Sequence, residues 1–191
     1  MTALRKWDEP RPVKLTIDDF LRLDETEAFR DYAKTELIEG VIFAMNAQYS
    51  AHAHAKTLLL RRLADAVDKV LPGYVTWSEV SVAIPPGNLP EPDLVVTNFR
   101  PSPRAPVPAE TIALVVEVAD TTAAFDLGQK AGVYARATIA EYWVVDLDAG
   151  AIRQLWEPGT EGYGQQKTIA LGEPIAAITM KGLKIETTGL R

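Results

Sequence analysis

Thr111-Ile-Ala-Leu-Val-Val-Glu-Val118 is the stretch on which the fold turns. Leu114, Val115, Val116 and Val118 form a near-continuous aliphatic run, the pattern of a strand covered on both faces. Glu117 stands inside it. A carboxylate taken out of water without a partner costs roughly several kcal/mol, so a buried strand carries one only where a cation, a metal or a donor network meets it. Upstream, Pro92-Asp-Leu-Val-Val96 places Asp93 at the mouth of a second short apolar strand, just after the turn-rich Pro85-Pro-Gly-Asn88. Two acids at the mouths of two apolar strands point to one shared site.

Working outward, Ser50 to Leu71 switches to helical spacing. His52, Leu59, Leu63, Val67 and Val70 recur on one stripe, with Ser50 as a candidate cap and Pro72-Gly73 as the stop. His52 falls on the inward stripe and His54 about 200° round it, facing out. Tyr74 to Ile84 alternates as a strand, and the four prolines between Arg100 and Glu110 mark a surface loop without ladder structure. Asp120-Thr-Thr122 turns into a helix over Asp126 to Ala137, and Tyr142 to Asp146 is the next strand. Asp148-Ala-Gly150 turns the chain into a strand from Ile152 to Trp156. Before all this come a helix from Thr16 to about Leu23 and a hairpin over Glu36 to Met45, turning at Glu39-Gly40. The order α-β-β-β-α-β predicts an α/β (α+β) fold with a mixed central sheet flanked by helices, an N-terminal hairpin and C-terminal antiparallel strands.

The chain has 191 residues, 47% of them hydrophobic, which suits one domain over 1–191, with residues 1–14 as an N-terminal arm and 157–191 as a C-terminal strand extension. Its net charge of −6 argues against a broadly basic, nonspecific nucleic-acid coater. It leaves room for an enzyme whose metal ion neutralises phosphate locally. With no cysteine and only two histidines, thiol chemistry, cysteine-bound zinc and a three-histidine metal site are excluded. Met1 to Pro12 lacks an apolar leader core, and no apolar run approaches ~18 residues, so the expectation is a cytoplasmic protein with no membrane partner.

An acid on the second core strand, an acid within the third and a lysine nearby form the arrangement of the PD-(D/E)XK nucleases. More narrowly, Glu36-Leu-Ile-Glu-Gly40, Met45 with His52 seven residues on, Pro92-Asp-Leu-Val-Val96, Glu117-Val118, then Asp126, Lys130 and Tyr134, then Glu141-Tyr-Trp-Val-Val-Asp146 resemble the Uma-two family of restriction endonucleases. The resemblance covers roughly residues 15–156. It implies a restriction-endonuclease-like core. The usual superfamily lysine lies two residues after the second acid, where this chain has Ala119; the resemblance assigns that role to Lys130 on the following helix. Ala119-Asp-Thr121 also replaces the serine and proline of many relatives.

The resemblance implies hydrolysis of phosphodiester bonds in DNA. Asp93, Glu117 and the carbonyl of Val118 would hold Mg²⁺ or Mn²⁺, with Lys130 orienting water or offsetting developing charge, and Glu36 and His52 as auxiliaries. A homodimer would suit cleavage of two strands. Blander readings stand beside these. Asp126 and Lys130 fit an exposed i,i+4 ion pair, Asp93 a turn residue, Glu117 a structural salt bridge needing an arginine, and His52 a satisfied helix-start histidine. Tyr142 and Trp143 read as packing residues. The rival functions are a catalytically silent nucleic-acid or protein-binding module that keeps the fold, and a hydrolase of small phosphate esters with a closed pocket.

Overall fold

The computed structural model describes residues 9–191, so the first eight residues of the expected arm lie outside the described residues. In chain order, α1 (Ile17–Glu25) leads into a hairpin of β1 (Lys34–Ile38) and β2 (Val41–Met45). Then come α2 (Ser50–Val70), β3 (Val75–Ser78), β4 (Val82–Ala83), β5 (Leu94–Thr97), β6 (Val107–Pro108) and β7 (Ile112–Ala119). A composite helix over 123–136 follows, then β8 (Glu141–Asp146), β9 (Ala151–Gly159), β10 (Gly162–Ala170), β11 (Ile175–Ala176) and β12 (Lys184–Ile185). The central sheet has six strands in the order β10-β9-β8-β7-β5-β3. Only β7 and β8 run parallel, joined through the composite helix, so the sheet is mixed as expected.

The apolar density of β5, β7 and β8 is explained by cover on both sides. Ala55, Leu59, Leu63 and Val67 of α2 pack on one face, formed by Leu94, Val96, Leu114, Val116, Trp143 and Val145. Ala131, Val133 and Tyr134 of the composite helix pack on the other, against Val95, Val115, Tyr142 and Val144. Strand alternation puts Glu117 on the same face as Val115, toward the composite helix. Both Tyr142 and Trp143 are fully buried, in keeping with their reading as packing residues.

Local chemistry sets the ends of these elements. Thr16 and Asp19 form a reciprocal capping box on α1. Glu39 and Gly40 both take positive φ, 51° and 73°, the primed turn that a two-residue hairpin requires. At α2 the cap position is Tyr49, with no side-chain cap bond, so the expected capping by Ser50 does not occur. The expected strand over 74–84 is divided: Glu79 sits at φ 52° and its amide donates to the Asp93 carbonyl at 3.2 Å, breaking β3 from β4. The proline-rich loop is less irregular than its composition implies, since Val107–Pro108 pairs in parallel with Val82–Ala83.

The C-terminal extension belongs to the core. Nine-residue β9 and β10 pair along their length, longer than the short strands expected. Ile175, Met180, Leu183, Ile185 and Leu190 then fold back onto the α2 face. A buried carboxylate fastens them: Glu141 accepts from Trp143 Nε1 and Gln154 Nε2 at 2.7 Å, and from the Thr179 amide and hydroxyl at 2.8 Å. The Ile178 amide adds a bond at 3.0 Å. Among the described residues its donors are all neutral groups, and the side chain is fully buried.

Candidate functional site

The two acids meet where β5 and β7 lie side by side. The Val118 amide donates to Asp93 Oδ2 at 2.8 Å, and the Asp93 amide reaches Glu117 Oε2 at 3.4 Å. Each strand mouth thereby fixes the acid of the other. Both side chains are about 5% exposed. Continuing the register of Leu94 opposite Val116 places Pro92 opposite Val118. Proline has no amide hydrogen to give that position, so the ladder stops there.

Lys130 arrives from the composite helix. Residues Asp126–Lys130 form a π turn between α-helical segments Ala123–Phe125 and Ala131–Arg136, an irregularity that recurs at functional sites. Its Nζ lies 2.9 Å from Glu117 Oε1, 2.8 Å from Glu36 Oε2 and 3.9 Å from Asp126 Oδ1, and its side chain is 2% exposed. The reading of Asp126 and Lys130 as an exposed pair therefore fails: both are buried. Nor does Glu117 pair with an arginine; its partners are Lys130 and the Tyr134 hydroxyl at 3.0 Å. Glu36, on β1, is buried beside two ammonium groups, 2.8 Å from Lys130 Nζ and 3.4 Å from Lys34 Nζ.

On the other side of Asp93 stands the first part of α2. His52 Nε2 is 3.2 Å from Asp93 Oδ2, and Lys56, one turn on, is 3.7 Å from Oδ1. Gln48 donates to the same Oδ1 at 3.2 Å, while Lys56 binds Gln48 Oε1 and Glu79 Oε1, each at 2.7 Å. His54 is exposed, its ring against the Gly189 carbonyl.

The electrostatics follow from burial and crowding. Burial, and then the charges of Asp126, Asp93 and Glu36, outweigh Lys130 and push the Glu117 carboxyl up to about 8. Burial also raises Asp126 despite Lys130 and Thr122. At Asp93 burial acts upward, but the His52 bond and charge, the Val118 amide and Lys56 hold the carboxyl below its ordinary value. For Lys130, burial is outweighed by Glu117, Glu36 and Asp126, which keep the ammonium charged. The site thus holds more negative charge than its own cations offset.

All five expected side chains, Glu36, His52, Asp93, Glu117 and Lys130, come together along one open groove of about 1340 Å³, and Val118 lines it too. Nine acids line that groove, against Arg30, Lys34, Lys130 and His52. Sequence reasoning did not find Lys56, Lys34, Gln48 or the contact of Tyr134. The i,i+4 spacing of His52 and Lys56 was the available signal for the first. Among the described residues no group of three or more His, Cys, Asp and Glu is gathered tightly enough to hold a metal ion unaided. The donors that do converge are oxygens, which suit a hard ion that keeps several waters.

Comparison with known families settles the kinship. A family model, Uma2, described as "Putative restriction endonuclease", matches residues 17–187. The chain belongs to this family. The Uma2 match takes in the α1 helix, the whole site and most of the C-terminal extension. A crystal structure titled as that of a "putative nuclease belonging to DUF820" from Anabaena variabilis superposes with a TM-score of 0.67 at 16% identity, over 92% of this chain and 97% of that one. At that identity the likeness is one of fold. No curated protein matches.

Proposed function

We propose that this chain is a metal-dependent endonuclease that hydrolyses phosphodiester bonds in DNA. The observation that carries the reading is the convergence of Asp93, Glu117 and Lys130, from two strands and a helix, at one buried corner of an open groove. Asp93, Glu117 and the Val118 carbonyl would hold Mg²⁺ or Mn²⁺. A strand residue's amide and carbonyl point to one side, so the Val118 amide on Asp93 aims its carbonyl at the same edge, where Pro92 offers no hydrogen. When bound, such an ion polarises the phosphate and lowers the pKa of a water. The excess of carboxylate crowded around Glu117 favours an added cation.

The chain's own groups have separable tasks. Asp93, held by His52, Gln48 and the Val118 amide, presents a fixed ionised carboxylate. Lys130 orients Glu117 and supplies a permanent positive charge beside the reacting phosphate, while Glu36 keeps its ammonium in place. An open groove suits a polymer better than a small phosphate ester, and a homodimer in the cytoplasm would set two such corners against a duplex.

Plasmid nicking tests this. With Mg²⁺ or Mn²⁺ the wild-type chain should nick supercoiled DNA and lose activity in EDTA. Asp93→Ala and Lys130→Ala should each lower the rate by at least about a hundredfold, the scale of several kcal/mol of charge stabilisation. Activity unchanged by both substitutions would overturn the reading, and a chain that binds DNA but never cuts it would favour the silent module.

A further inference from the structure

Beside the acidic groove lies a second cavity of about 500 Å³ with a contrasting lining. Trp77 and Phe99 meet in it edge to face, ring centroids 6.3 Å apart at 82°. Arg104 stands at its exposed rim, and not one carboxylate is among its lining residues. Leu21, Ser81 and Leu89 line both cavities, so the two adjoin.

The walls are preformed. Val107 donates to the Ser81 carbonyl at 2.8 Å, pinning the proline-rich loop to the start of β4, and the Phe99 amide is fixed by Thr97 Oγ1 at 3.0 Å. Arg104 is exposed on that loop, at φ 59°. The distance from the reacting corner is short. Glu79 is bonded through its amide to the Asp93 carbonyl, and Trp77 is two residues back along β3, roughly 7 Å at the rise of a strand.

Resting on the nuclease reading, we infer that this cavity is a nucleobase subsite: it receives one unstacked base of the strand whose phosphodiester lies at Asp93 and Glu117. Flat aromatic faces accept any base, because every base has a π face, and Arg104 can add a cation over the ring. The contrast in charge fixes which part of a nucleotide goes where. The acid-lined groove takes backbone phosphate only together with cations, whereas the acid-free cavity beside it suits the uncharged ring. The preferred substrate is then a strand with an unpaired base next to the cut: single-stranded, gapped, mismatched or branched nucleic acid rather than perfect duplex.

The test uses three labelled oligonucleotides of one sequence: perfect duplex, duplex with one unpaired base, and the same with an abasic analogue at that position. Wild type, Phe99→Ala and Arg104→Ala, both changes at partly or fully exposed positions, are compared by cleavage kinetics and by fluorescence anisotropy. Wild type should favour the unpaired base over perfect duplex. For the unpaired base Phe99→Ala should raise KM about 5- to 150-fold, the range seen when a base-aromatic stack is removed, and Arg104→Ala about 2- to 30-fold, the range of a cation over a ring, with kcat within about twofold. On the abasic substrate the substitutions should change nothing, a selectivity that a merely structural defect would not show. Equal effects on base-containing and abasic substrates, or none on either, would overturn the subsite, leaving the cavity as packing or a seat for another protein. Cleavage by wild type with insensitive variants sinks the subsite alone. Base-dependent binding without cleavage keeps it and sinks the nuclease.

Discussion

Lys130 reaches Glu117 across 2.9 Å from a π turn one helix away, not from the strand that carries the acid. Ala119, two residues past Glu117, is fully buried and in the sheet's apolar packing, so the charge enters from the opposite wall. A long unbranched side chain makes that substitution possible, since its ammonium is a compact charge on a four-carbon stem.

The first prediction concerns that lysine. Lys130→Met keeps the length of the side chain but leaves Glu117, Glu36 and Asp126 crowded without their common cation. Removing one partner of a buried ion pair costs about 3–5 kcal/mol. Urea unfolding should show a loss of that order, and a double change, Lys130→Met with Glu36→Gln, should recover part of it.

Glu117 predicts an unusual pH dependence. Its carboxyl is pushed up to about 8 from 4.5, so in the folded chain it keeps a proton that the unfolded chain has released. Unfolding therefore releases a proton across that window, and stability falls as pH rises from about 4.5 to 8. In EDTA, urea midpoints of wild type should drop between pH 5.5 and 8.5 relative to Glu117→Gln, whose side chain does not titrate. Parallel pH profiles for the two proteins would contradict the assignment. Asp93 acts the other way: its lowered carboxyl stabilises above its ordinary value, and that contribution is lost in acid.

His52 and Lys56 bear on Asp93 from one face of α2. With Asp93 as the proposed metal ligand, groups that orient it should be worth about 10- to 100-fold in affinity or activity. His52→Ala and Lys56→Met should each lower nicking by that factor and weaken Mg²⁺ binding by calorimetry, with thermal midpoints little changed for Lys56, whose other partners, Gln48 and Glu79, are exposed and half exposed.

The last prediction separates architecture from chemistry. In Glu141→Gln the amide group must face donors that now all point at a carboxylate. Hydrogen bonds to a charged group contribute about 1.5–3 kcal/mol each, so a loss of 2–4 kcal/mol is expected in thermal or urea unfolding. Hydrogen exchange should accelerate first at Ile178 and Thr179, while nicking at low temperature stays near wild type.

The order of elements, the mixed sheet, the hairpin turn and the inward face of α2 were legible because apolar periodicity and turn chemistry report burial directly. Glu117 was legible for the complementary reason, as a charge in an apolar run. Less could be read where long-range contact overrides local pattern. Asp126 and Lys130 have the spacing of a surface pair, and nothing local reveals the π turn or the lid of β1 that buries them. Glu79 gives no sign in sequence of a left-handed backbone, because the cause is its bond to Asp93. Lys56 stands on the same face of α2 as the apolar stripe, but nothing local shows that Gln48, Glu79 and Asp93 enlist it there. Glu141 begins a strand, where an acid is ordinarily solvated, and the Ile178 and Thr179 groups that complete its cover come from 37 and 38 residues later.

That late arrival has a temporal consequence. Met180, Leu183, Ile185 and Leu190 seal the same apolar layer that α2 begins, and Leu190 is 1% exposed. A nascent chain leaving the ribosome has made every acid and the lysine long before it can close that layer. The corner around Asp93, Glu117 and Lys130 should therefore set only after residues 180–190 have emerged and folded back onto α2.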